Sequence, residues 1–162
     1  QKDEKGAPIF GKVYASKAAL ALDPVQVFPA EKALKDNNRA FMDWIWGLVI
    51  YTGKKPSAED NAIYITETMK QRCLIDLDWA ICNFNMSDTH NLYQAGDGSI
   101  HRIACPVLSV WGKKDITVLE FMFKDNLSVL KHVKSIVYED AGHSPLVDVP
   151  DQLSQDILDF IQ

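Results

Sequence analysis

Apolar residues along this chain keep two different rhythms. Up to about residue 98 they recur mostly at helical spacing between polar turns, and beyond it short β-branched runs alternate with helical segments. Residues 1–17 are polar and lysine-rich, with Gly6, Pro8 and Gly11 breaking any period, and read as a poorly ordered lead-in. The short apolar run Ala18–Leu22, closed by Asp23-Pro24, predicts a buried strand over 18–24. A helix is the rival reading there, because alanine favours helices. Residues 29–52 read as helical, with apolar positions at Ala30, Ala33, Leu34, Phe41, Trp44, Ile45, Leu48 and Val49. Gly53 to Pro56 is a loop. Ser57 then has the character of an N-cap, followed by Glu59 and Asp60 in a first turn, for a helix running to about Arg72. Cys73–Phe84 continues helix-like, and 85–99 is turn-rich.

The C-terminal segment differs in kind. Pro106–Trp111 is an apolar run halted by Gly112-Lys113-Lys114-Asp115, and Val133–Tyr138 is a second, halted by Glu139-Asp140-Ala141-Gly142-His143. Residues 118–131 between them are helical in pattern, and a final helix opens at Asp148-Val149-Pro150-Asp151 with Leu153, Ile157, Leu158 and Ile161 on its apolar side. Strand, helix, strand, helix with near-continuous apolar strands predicts an α/β fold with a parallel sheet covered on both faces.

In open parallel sheets chemistry collects just beyond the carboxyl ends of the strands. The two ends here deliver Asp115 and His143, each following a glycine that lets the chain turn sharply out of the sheet. An imidazole whose Nδ1–H is held by a buried carboxylate is fixed in tautomer and orientation, ready to deprotonate a nucleophile.

These residues carry a resemblance. Ile103 to Asp115, reading I-A-C-P-V-L-S-V-W-G-K-K-D, resembles the penultimate-strand motif of the α/β-hydrolase superfamily. Asp140-Ala141-Gly142-His143-Ser144-Pro145, with Val149–Leu153 and Ile157–Ile161, resembles its last-strand histidine motif and C-terminal helix. The match runs in register over about residues 102–162. It implies the C-terminal part of a parallel α/β-hydrolase sheet, with Asp115 as the acid and His143 as the base of a catalytic triad, in the family's chain order. It also implies that 18–24 is a core strand, that 25–98 is an inserted helical cap, and that 99–162 is the C-terminal core. Trp44, Trp46 and Trp79 in the cap-like stretch are core or cap packing by default and substrate-pocket residues by analogy.

The nucleophile is missing. The family places it in G-x-S-x-G, upstream of the strand read at 18–22. The only serine before that strand, Ser16, has no glycine two positions to either side. Gly142-His143-Ser144-Pro145-Leu146 begins like such an elbow, but Leu146 replaces the closing glycine and Pro145 lacks the N–H that an oxyanion hole requires. Ser99 is no better placed. An aspartate nucleophile, as in haloalkane and fluoroacetate dehalogenases, would be missing equally. The expectation is therefore a hydrolase of an ester, amide, lactone or carbon–halogen bond on a small-molecule substrate, inactive as this chain alone. The edge of the strand at 18–22 would then need cover from a missing N-terminal half or from self-association. The alternative is a non-catalytic binding or signalling module on the same fold; an unrelated doubly wound domain is the third reading.

Composition narrows the partners. The net charge of −5 and pI near 5.3 argue against nucleic acid and anionic membranes. No apolar run approaches the length of a membrane helix. Cys73, Cys82 and Cys105 are unpaired by spacing and imply neither a zinc site nor a disulfide framework, so a cytoplasmic setting is expected. Neither metal-ligand spacing nor a phosphate-binding loop is present, so no cofactor is expected. His90, His101 and His132 read as surface residues.

Overall fold

A computed structural model describes residues 13–162, so most of the predicted lead-in lies outside the described residues. The fold is mixed α/β. It comprises α1 (Lys17–Ala21), α2 (Val27–Lys35), α3 (Arg39–Val49), α4 (Ala58–Thr68), α5 (Leu74–Asn83), a 3-10 turn (Ser99–Arg102), β1 (Val107–Gly112), α6 (Glu120–Val129), β2 (Val133–Tyr138), α7 (Pro145–Asp148) and α8 (Pro150–Ile161). Two compact units divide it, one of residues up to 42 plus 63–99 and one of 43–62 plus 100–162. Residues 43–62 thus belong with the C-terminal segment.

The first unit is helical. Its core is Tyr14, Leu20 and Val27, flanked by Ile75, Trp79, Cys82 and Tyr93. Residues 17–21 form a helix rather than the strand read over 18–24, for two local reasons. Ser16 Oγ accepts from Ala19 N at 3.1 Å and caps the helix start, and the alanine-rich stretch favours the turn. Asp23, expected to close a strand, instead shapes the turn that leads into α2: its Oδ1 accepts from Val25 N and Gln26 N at 3.1 and 2.7 Å. Its Oδ2 accepts from the buried Tyr14 hydroxyl at 2.7 Å. Burial works against ionisation of Asp23, but the Tyr14 hydroxyl and the N–H groups of Gln26, Val25 and Val27 outweigh it and hold the carboxyl below its usual range. Tyr14 is in turn pushed up by burial and by the Asp23 carboxylate. Tyr14 N also donates to the Tyr93 hydroxyl at 3.0 Å, so the end of the predicted lead-in is tied into the core. With 17–21 helical, the unpaired strand edge expected there does not exist.

The helical run expected over 29–52 is broken. Asn37 takes the left-handed conformation (φ 54°), Asn38 N reaches back to Ala33 O at 2.8 Å, and Asn37 N reaches Leu34 O at 3.2 Å. This is a Schellman stop, for which asparagine is the usual substitute for glycine. Asn38 then caps α3, its Oδ1 accepting from Phe41 N at 3.1 Å.

The second unit holds a two-stranded parallel sheet. Val107 pairs with Val133, and the register runs without slippage to Gly112 opposite Tyr138. The apolar strands and the intervening α6 follow the expected order, and a parallel pairing requires such a crossover. Phe123 of α6 stacks on Trp111 of β1, ring centroids 5.6 Å apart. Tyr138, the end of β2, is buried and donates its hydroxyl to Asp156 of α8 at 2.8 Å. That contact anchors the last helix beneath the strand end.

Candidate active site

Because β1 and β2 are parallel and in register, the chain leaves both at the same end. The turn after Gly112 and the turn after Tyr138 therefore lie side by side: Lys113 N donates to Tyr138 O, and Lys114 N to Ala141 O, each at 2.9 Å. Their approach is close enough to exclude a side chain at Gly112. A Cβ there would lie 2.6 Å from Ala141 O and 2.7 Å from Ala141 C, and nearer still to Gly142 O. Outside this junction, Lys113–Glu139 and Lys114–Asp140 pair across the two turns. All four side chains are exposed, and such pairs add little to stability.

The juxtaposition brings the two residues singled out from the sequence together. His143 Nδ1 stands 2.9 Å from Asp115 Oδ2. The other carboxylate oxygen is not idle: Asp115 Oδ1 accepts from Thr117 N at 2.7 Å and Val118 N at 3.0 Å. Both oxygens are thereby held, and the Asp115 side chain is only 5% exposed. A carboxylate fixed in this way offers His143 one acceptor in one direction. His143 itself is 31% exposed, and with Nδ1 turned to Asp115 its Nε2 is the nitrogen left for external chemistry. Both residues border a cavity of about 300 Å³.

The aromatic wall of that cavity is Trp111, with Phe123 beside it. Trp111 was not among the tryptophans singled out, although it directly precedes Gly112 in the motif. Its ring is fixed by Nε1–H donating to Val118 O at 2.8 Å. Trp44 and Trp46 are not in the cavity wall: Trp44 is 59% exposed on α3, and Trp46 packs on Tyr51 with centroids 5.9 Å apart. Trp79 lies in the first unit, edge-on to Tyr93 at 6.0 Å and against the core there.

Two further features have no signature in the sequence. The segment after α3 wraps against the strand-end turns: Thr52 Oγ1 donates to Lys114 O at 3.2 Å, and Thr117 Oγ1 donates to Val49 O at 3.1 Å. Asp148, fully buried, accepts from Gly142 N at 2.7 Å and from Lys54 N. Their partners lie 62, 68 and 94 residues away in sequence for Thr52, Thr117 and Lys54, beyond the reach of a local pattern.

Ser144, the one serine beside the histidine, has φ −117° and ψ 74° and begins α7 with Pro145 next to it. Its backbone is in the ordinary negative-φ range, unlike the strained turn that exposes a serine nucleophile. Among the described residues no group of three or more His, Cys, Asp or Glu side chains has the arrangement to hold a metal ion. No helix of the described residues is long and apolar enough to cross a membrane. Comparison with protein-family models finds no match to the chain, and comparison with curated proteins finds none either.

Proposed function

We propose that the second unit supplies the acid and the base of an α/β-hydrolase, and that the nucleophile comes from polypeptide outside these 162 residues. The observation that carries the reading is the His143 Nδ1–Asp115 Oδ2 pair at the ends of adjacent parallel strands, with Asp115 Oδ1 already committed to two backbone N–H groups. His143 Nε2 takes the proton from the nucleophile as it attacks and hands it to the leaving group. Asp115 holds the tautomer and stabilises the imidazolium in between. With an aspartate nucleophile the same Nε2 would activate the water that releases the product.

The substrate is a small molecule with an ester, amide, lactone or carbon–halogen bond, and the helical stretch over 25–98 takes the part of the family's cap. Of the tryptophans offered as pocket residues, Trp79 is committed to packing, which leaves Trp44 and Trp46 as the cap's candidate contacts. The partner of this chain is the nucleophile-bearing segment or, without it, a second copy.

The test takes the full-length polypeptide that carries this chain. A G-x-S-x-G or G-x-D-x-G segment ahead of residue 1, with hydrolysis of short acyl esters or haloacids lost on Asp115→Asn, supports the reading. A full-length protein with no such segment and no turnover sinks it and leaves a binding module on the same fold.

A further inference from the structure

We infer that Asp148 is a positioning residue for His143, locking the loop that carries the imidazole through its backbone rather than touching it. The inference rests on the reading of His143 as the base and deepens it.

Three observations support the assignment. First, Asp148 is a carboxylate with no exposed surface, one of the most completely buried side chains in the chain. A buried carboxylate is costly unless its oxygens are taken up by donors. Here the donors are main-chain N–H groups: Gly142 N to Oδ2 at 2.7 Å, and Lys54 N to Oδ1. Second, the bond to Gly142 spans only six residues and closes a ring whose second member is His143. The single turn of α7 forms the far side of that ring, with Val147 N and Asp148 N donating to Ser144 O at 2.9 and 3.0 Å. Third, the surrounding backbone is built around the carboxylate. A Cβ on Gly53 would lie 2.5 Å from Asp148 Cγ and 2.6 Å from its Oδ2, and a Cβ on Gly142 would collide with Thr52 Oγ1.

The consequence is a division of labour between two buried aspartates. Asp115 fixes the orientation of the ring at Nδ1, and Asp148 fixes the backbone from which the ring departs. The loop has two ends to hold, and Lys114 N to Ala141 O holds only the strand side. Without Asp148, Gly142 N would be a buried donor with no acceptor and Lys54 N would lose its partner, which favours a rearranged loop over the native one. An imidazole displaced by as little as about 1 Å can lose on the order of 10²-fold in rate.

The experiment uses the full-length protein and two variants. Asp148→Asn keeps the shape but sets an amide NH₂ against one of the N–H donors. Gly53→Ala leaves Asp148 in place and pushes on its carboxylate from the other side. Both are expected to speed Gly142 amide exchange at least tenfold and to erase the low-field Nδ1 proton resonance of His143, with β1 and β2 amides as protected as before. Both are also expected to lower kcat on the order of 10²-fold with KM nearly unchanged. Folded variants with wild-type Gly142 exchange and kcat would overturn the inference. So would a uniform loss of protection across β1 and β2, which is the mark of a merely structural residue. Asp115→Asn separates this from the underlying reading. If it leaves the His143 resonance and turnover intact, the acid–base reading has failed, while Gly142 exchange still decides whether Asp148 holds the loop.

Discussion

Replacing one glycine by alanine is predicted to have opposite effects at two positions, and the contrast tests the packing of the strand-end junction. Gly112 ends β1 against the turn that carries His143. A Cβ added there would lie 2.6 Å from Ala141 O and 2.7 Å from Ala141 C. An ordinary contact is about 3.5 Å, so the two turns must separate by about 1 Å. The obstructing atoms are backbone, so no side-chain rotation relieves the clash. Overpacking of this kind costs about 1–3 kcal/mol. The Lys114 N to Ala141 O hydrogen bond across the same gap, 2.9 Å long, would stretch and add about 1 kcal/mol. A total of about 3 kcal/mol corresponds to a fall in Tm of roughly 10 °C for a chain of this size. Gly47, inside α3, has nothing within 4 Å of its added Cβ. There alanine removes the entropic penalty of a helical glycine and raises stability by about 0.5–1 kcal/mol. Thermal melts followed by circular dichroism of both variants give the answer. A Gly112→Ala protein melting within about 1 °C of wild type would refute the packing argument.

Other predictions follow from hydrogen bonds in each unit. Burial, with the Asp156 carboxylate that accepts its hydroxyl, pushes Tyr138 up to about 12. Its neutral form is therefore favoured by folding, a contribution complete below the unfolded value near 10 and lost as pH rises from about 10 to 12. Urea titrations at pH 9 and pH 12 should show wild type losing about 2 kcal/mol more than Tyr138→Phe, and equal losses would contradict the assignment. Ser16→Ala removes the cap on α1 and is expected to cost about 1 kcal/mol, read as a lower urea midpoint; no change would mean the cap contributes nothing. The chain expressed alone is expected to self-associate, because its sheet has two strands and Ile157, Leu158 and Ile161 of α8 are substantially exposed. A cooperatively melting monomer by size-exclusion chromatography would contradict that.

What could be read from the sequence was what local pattern encodes. β1, β2 and α8 follow from apolar runs and their turn residues, and the approach of Asp115 to His143 follows from two parallel strands ending together. The strand expected at 18–24 failed because an apolar run that short does not distinguish strand from helix. Ser16, weighed only as a nucleophile, decides it by capping α1. The break at Asn37 was legible in principle, since adjacent asparagines are a turn signal, but the continuing apolar period masked it. The cavity wall was sought in the helical segment, whereas Trp111 sits inside the strand motif itself. Thr52, Gly53 and Asp148 could not be found this way: Gly53 and Asp148 meet only after the chain has folded back across the whole second unit.

We propose that His143, oriented by Asp115, is the base of a hydrolytic site. The most direct test is the steady-state rate of ester or haloacid hydrolysis by the full-length protein and its His143→Ala variant, with folding checked by circular dichroism. The expected result is a folded variant whose kcat/KM is lower by at least about 10³-fold. A folded variant that retains turnover within roughly tenfold of wild type would contradict it, because a base that supplies general catalysis contributes more than that.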